Sequence, residues 1–139
     1  MKQILKIFLY FWAAPNSLIG LTLGVAGLLT AGQVQVRNGC LEFFGGAVSW
    51  FLARLGSRGV AAMTLGHTIL GQSRETLDLV RSHEQIHVSQ YEKWGALFIP
   101  AYLSCSFYLL LAGKDCYREN PFEREAYRLE DPRINNWRQ

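Results

Sequence analysis

The sequence predicts an α+β domain carried on an apolar N-terminal membrane segment, and three observations predict it. Residues 4–31, ILKIFLYFWAAPNSLIGLTLGVAGLLTA, hold a single charge, Lys6. Between residues 33 and 71, runs of β-branched and aromatic residues alternate with glycines, the pattern of short strands joined by tight turns. From Ser73 onward come helix signals, with Ser73 as N-cap, Glu75 and Asp78 near the positive end, and Gly95 as the stop. A chain of 139 residues suffices for one domain with a modest core.

Composition narrows the function classes. Half of the residues are hydrophobic and 18% are charged, more apolar than a typical soluble domain, which points towards a membrane. The net charge of +3 includes Lys2 and Lys6, so from residue 7 onward 12 basic residues face 11 acidic ones. With no basic stripe to neutralise phosphates, no nucleic-acid partner is expected. Cys40, Cys105 and Cys116 have neither the parity of a disulfide framework nor the spacing of a CxxC site, and read as packing residues.

The first element is the apolar run. A helix over most of it is long enough to cross a bilayer, but Pro15 removes a helical hydrogen bond, and Asn16 and Ser17 are good N-caps. Residues 1–31 are therefore expected to be a membrane anchor or a helical hairpin. Buried core helices and a cleaved signal peptide are the other readings, the latter disfavoured because the apolar stretch continues past any early cleavage site. In QVQVRNGCLEFFGG, Asn38-Gly39 marks a β-hairpin, since both residues tolerate positive φ. Residues 47–55 fit a short helix ended by Gly56, and Gly59 to Gly71, GVAAMTLGHTILG, reads as one strand. The helix from Ser73 follows. Residues 96–112 form a second uncharged run of 17 residues, the lower limit for a span. A polar loop leads to a short helix opened by Pro121, and Asp131-Pro132 breaks the chain again.

The chemistry lies in His83-Glu84-Gln85-Ile86-His87. On a helix His83 and His87 fall on one face a turn apart, where both imidazoles reach one Zn²⁺, and Glu84 sits just off that face as a general base towards water. Leu79, Val80, Ile86 and Trp94 share that side, so the histidines are expected to point inward. By average residue usage such a motif arises by chance in roughly one chain of this length in a few hundred. A third ligand is therefore the test. Asn120 to Tyr127, NPFEREAY, supplies two candidates, Glu123 and Glu125, at the start of a short helix. Gln90, three residues after His87, is placed to orient a ligand, touch substrate or satisfy buried backbone groups.

These two stretches together resemble a known group. HExxH followed by an acidic ExxA helix is the signature of gluzincin metallopeptidases, and HEQIHVSQYEKWG with YRENPFEREAY is similar to small bacterial zincin-like domains carrying HExxHxxQ and NPxExEAY motifs. The resemblance spans roughly residues 64–129. It implies a minimal zincin-like fold over residues 32–139, a small sheet packed on the HExxH helix. It further implies one Zn²⁺ on His83, His87 and Glu123, with Glu84 as base and Glu125 as the fallback ligand. In related membrane peptidases the ExxA motif continues to Asp where this chain has Tyr127. The gluzincin edge strand that binds extended substrate corresponds to AMTLGHTILG, and His67 within it is a candidate oxyanion donor.

The expectation is a membrane-associated zinc peptidase acting on a peptide or protein substrate and attached to the bilayer through residues 4–31. Its location would be a bacterial inner membrane, with the side left open by the scattered basic residues. A non-catalytic membrane accessory protein with a structural metal, and a zinc hydrolase of a non-peptide substrate, are the alternatives. The reading constrains topology: if residues 96–112 crossed the bilayer once, His87 and Glu123 would end on opposite sides. That run is therefore expected not to span, and to lie under the metal helix or in the interface.

Overall fold

The computed structural model describes residues 2–130. Its elements are α1 (Lys2–Leu28), β1 (Gln33–Arg37), β2 (Cys40–Phe44), α2 (Gly46–Arg54), β3 (Ala62–Leu65), β4 (Thr68–Gly71), α3 (Arg74–Trp94), a 3₁₀ turn over Gly95–Leu97, α4 (Phe98–Leu111) and α5 (Pro121–Leu129). The fold class is α+β, with a mixed four-stranded sheet in the order β1-β2-β4-β3. The break expected at Asp131-Pro132 lies outside the described residues.

Local chemistry places most of these boundaries. Asn38 and Gly39, at φ 50° and 78°, form the turn that sets Arg37 opposite Cys40 in the β1–β2 hairpin. Ser73 caps α3 by accepting from the Thr76 N–H, and Asn120 caps α5 by accepting from the Phe122 N–H. The single strand expected over residues 59–71 is instead a second hairpin. Gly66 takes φ 64°, so Gly66-His67 becomes a two-residue turn and Leu65 pairs with Thr68. Glycine at the first turn position is what such a turn requires, and small and β-branched residues suit one long strand or two short ones equally well.

The N-terminal run is one continuous helix with Pro15 inside it, which overturns the helical hairpin. The residues expected to cap a second helix are engaged otherwise. Asn16 Nδ2 donates to the buried Gly95 carbonyl at 3.0 Å, while Ser17 Oγ donates to the Ala13 carbonyl and accepts from the His67 N–H. These contacts fasten the helix just after the proline, and Tyr10 Oη, donating to the Gly39 carbonyl at 2.7 Å, fastens it before the proline. A stripe of small residues faces that body. A Cβ on Gly24 would lie 2.5 Å from the Phe43 ring, and Gly20 and Gly27 sit as closely against Thr68 and Val48.

Alternation along the strands builds two cores. Cys40, Phe44, Ala62 and Ile69 pack towards Leu77 and Val88 of α3, and Phe43, Leu65 and Leu70 pack on the other face with Val48 and Leu52 of α2. Glu42 is fully buried on the α3 side, where Arg81 meets both carboxylate oxygens at 2.8 and 2.9 Å and Gln35 adds a third donor. The sheet is thus clamped between α1 and α2 on one face and α3 on the other.

Two helical stretches, Gln3–Leu28 and Arg74–Leu111, are long and apolar enough to cross a membrane by length and composition. Within the most apolar part of each, 17% of the residues are buried. In the second, the apolar part is α4, which spans about 21 Å. The chain returns alongside it: Asn120 Nδ2 donates to the Tyr102 carbonyl and Ser106 Oγ, and Ser106 Oγ donates to the Cys116 carbonyl. α4 is covered along one side, with Phe98 buried beside His87 at its start and Leu109 buried near its end, whereas Leu103, Phe107, Tyr108, Leu110 and Leu111 are exposed.

Candidate metal centre

α3 presents His83 and His87 on its inward face, both buried. Leu79 and Trp94, expected beside them, are exposed, although Leu79 and the partly buried Val80 line a cavity with His83; the buried apolar residues of α3 are Leu77, Val88 and Tyr91. α5 brings Glu123 in from its first turn, held in place by the Asn120 cap and Pro121 at the helix start.

The three side chains meet. His83 Nε2 lies 3.2 Å from His87 Nε2 and 3.1 Å from Glu123 Oε2, and His87 Nε2 lies 3.4 Å from Glu123 Oε1. A tetrahedral ion with bonds of about 2.0–2.1 Å separates its ligand atoms by roughly 3.3 Å. The spacing and the nitrogen-and-carboxylate donors therefore fit a metal, and His83, His87 and Glu123 form a buried group that can hold one. No known family, characterised protein or solved structure matches the chain. What the site can do is therefore read from its geometry.

Each of the two histidines is oriented from behind. His87 Nδ1 donates to Gln90 Oε1 at 2.8 Å, and His83 Nδ1 donates to Glu130 Oε2 at 3.1 Å, which leaves both Nε2 atoms turned towards the centre. Gln90 combines two of its expected roles, since its Nε2 donates to the Phe122 carbonyl and to Glu125 Oε2. Glu125 is thereby directed to Gln90, and Glu123 rather than Glu125 belongs to the group that can hold an ion. Tyr127, at the position where the resembled membrane peptidases carry Asp, places its ring 4.5 Å from the His83 ring. The carboxylate on His83 comes from Glu130, three residues further on.

Glu84 stands beside the ligand group without joining it. Thr64 Oγ1 of β3 donates to its Oε2 at 2.6 Å, and Glu84 lines the cavities on both sides of the cluster. His67 does not come near. Its ring sits in the β3–β4 turn, stacked at 4.0 Å on Tyr10 of α1 with Nε2 at 3.0 Å from Glu92, so the oxyanion role considered for it has no geometric basis. Placing the residue in a turn rather than a strand accounts for the difference.

Thr64, Tyr102 and Glu130 are the site residues that sequence reasoning missed. Tyr102 donates to Glu123 Oε1 at 2.8 Å, and a tyrosine within an uncharged apolar run is a usable sign, because a buried phenol needs a partner. Glu130 carries no such sign, being an ordinary acid at a charged helix end.

Without a metal the cluster stores a proton. Burial disfavours a charged imidazole, but the Glu123 and Glu84 carboxylates outweigh it and raise His87 to about 9. Burial likewise opposes ionisation of Glu123, yet hydrogen bonds from His83, His87 and Tyr102 hold it down at about 2. Burial and the Glu123 charge push Tyr102 and Tyr117 far above the usual phenol range, so both remain protonated donors.

Proposed function

We propose that the protein is a membrane-associated zinc metallopeptidase of zincin-like fold, in which His83, His87 and Glu123 hold one Zn²⁺ and Glu84 is the general base. The observation that carries the reading is the separation of roles around one point. Three donors converge, and a second carboxylate, Glu84, steadied by Thr64, stands next to them on the side open to a cleft. Three protein ligands and an accessible fourth position are the pattern of catalytic rather than structural zinc.

Bound Zn²⁺ would supply Lewis acidity, making a water nucleophilic near neutral pH and polarising a carbonyl. The chain's own residues do the rest. Gln90 and Glu130 hold the two imidazoles, Tyr102 holds the Glu123 carboxylate, and Glu84 accepts a proton and returns it to the departing amine. β3 is an edge strand bordering this cleft, which suits an extended peptide laid beside it.

The bilayer is the proposed partner of α1. Its inward stripe, Ala13, Asn16, Gly20, Gly24 and Gly27, is taken by the protein, whereas Ile4, Leu5, Ile7, Phe8, Phe11, Leu18 and Ile19 are exposed. A helix apolar beyond the stripe that docks it suits lipid.

The test is turnover by the full chain reconstituted with zinc. A mixed peptide library should be hydrolysed, and Glu84→Gln should keep the metal while lowering turnover by roughly 10²- to 10⁴-fold. Hydrolysis that survives Glu84→Gln would remove the mechanism.

A further inference from the structure

Two cavities flank the metal group, one of about 310 Å³ and one of about 530 Å³. Val60, Ala62, Glu84 and Tyr117 line both, so they are the two ends of one cleft that passes over the cluster and meets at the proposed base. The β3 edge forms one wall. The smaller end runs between Met63 and Leu65 of β3 and Phe98, Ile99 and Leu103 of α4, and the larger between Ala61 and Leu79, Val80 and Tyr127.

The charges on these walls are informative. An enzyme that trims chain ends needs a fixed charge at one end of its cleft, cationic for a terminal carboxylate or anionic for a terminal ammonium. Among the described residues, neither end is lined by Lys or Arg, and the carboxylates are Glu84 and Glu123, both committed to the centre. Both ends are walled chiefly by apolar side chains. The smaller one continues onto the exposed apolar side of α4, where Leu103 and Phe107 are each more than half accessible. Among the described residues, a polypeptide passing from one end to the other meets no terminus-binding group, and charged side chains near the scissile bond would lose hydration without gaining a partner there.

We infer that this cleft takes the interior of an apolar polypeptide segment, cutting an internal bond flanked by large aliphatic or aromatic residues rather than removing terminal residues. The inference rests on the peptidase reading and adds the substrate class. Hydrolysis adds one water across the amide, giving a carboxylate on the upstream piece and an amine on the downstream piece, with no further reactant.

Binding to zinc-loaded full-length Glu84→Gln protein in lipid nanodiscs separates this inference from the peptidase reading. The probes are a fluorescent Leu/Phe/Val-rich decapeptide acetylated and amidated at its ends, its uncapped form, and a capped counterpart with Lys and Glu at the central positions. The capped apolar peptide should bind about tenfold or more tighter than the charged one. Removing the caps should change its affinity less than about twofold, and Leu103→Glu, at an exposed position, should erase the preference. Equal binding of the charged peptide, dependence on a free terminus, or no binding would each overturn the inference. If the apolar peptide binds as expected and wild-type protein leaves it uncut, the substrate cleft stands and the peptidase reading falls. If wild type cuts other peptides while the capped apolar one fails to bind, only the inference falls.

Discussion

Thr64 Oγ1 and Glu84 Oε2 are 2.6 Å apart, and this contact decides where the proposed base points. Thr64→Val keeps the side-chain shape and removes the donor, so kcat/KM should fall roughly ten- to hundredfold with zinc content unchanged, as measured by peptide hydrolysis beside metal analysis. Loss of the metal along with activity would assign Thr64 to folding instead. Behind His83, Glu130→Ala should weaken zinc affinity roughly 10- to 100-fold in a competition titration, and an unchanged affinity would count against its role. At this scale His83, His87 and Glu84 were legible in the sequence because a helical period fixes where residues four apart must lie. Thr64 and Glu130 were not, because only the tertiary return of β3 and α5 brings them within reach. The third ligand fell in between: NPFEREAY narrowed it to two glutamates, and the Gln90–Glu125 contact then separated them.

Elements hold the site by two different devices. α3 is fastened to β2 through the buried Glu42, whose partner Arg81 lies two residues before the metal motif. Glu42→Ala leaves Arg81 with Asp78 alone, at 2.7 Å, and should cost on the order of 1–3 kcal/mol of unfolding free energy in a denaturant titration. α1 is fastened by close approach. Gly24→Leu forces a side chain into the Phe43 ring and should destabilise by about 1–3 kcal/mol through displacement of α1, whereas Ser104→Leu, at an exposed position, should be nearly neutral. Caps and the Asn38-Gly39 turn were legible because each is a local code. The Gly66 turn and the unbroken α1 were not. The composition of residues 59–71 suits one strand as well as two, and a proline ends a helix only when nothing beyond it rewards continuation. Asn16, reaching across to Gly95, supplies that reward.

For the molecule as a whole, the cluster ties together pH, metal and membrane topology. His87, raised to about 9 from an ordinary value of 6.5, gives the metal-free protein stability that is fully present below pH 6.5 and lost as the pH rises through about 9. Glu123, lowered to about 2 from 4.5, gives stability that is present above pH 4.5 and lost as the pH falls through about 2. Chelator-stripped protein should therefore show its highest Tm between these windows and a falling Tm from pH 6.5 to 9, and a rising Tm there would contradict the assignment. Zinc takes the proton's place, so binding near pH 7 should release a proton, read from calorimetry in buffers of different ionisation enthalpy. The same convergence bears on topology. His87 precedes the apolar run and Glu123 follows it, so reporters fused at residues 95 and 115 should fall on one side of the membrane.

The most direct test of the account is the zinc content of purified full-length protein, wild type against His83→Ala, His87→Ala and Glu123→Ala. The account predicts close to one zinc per wild-type chain, a large loss in each of the three variants, and retention in Glu125→Ala. Wild-type protein without zinc, or ligand variants that keep it, would contradict it.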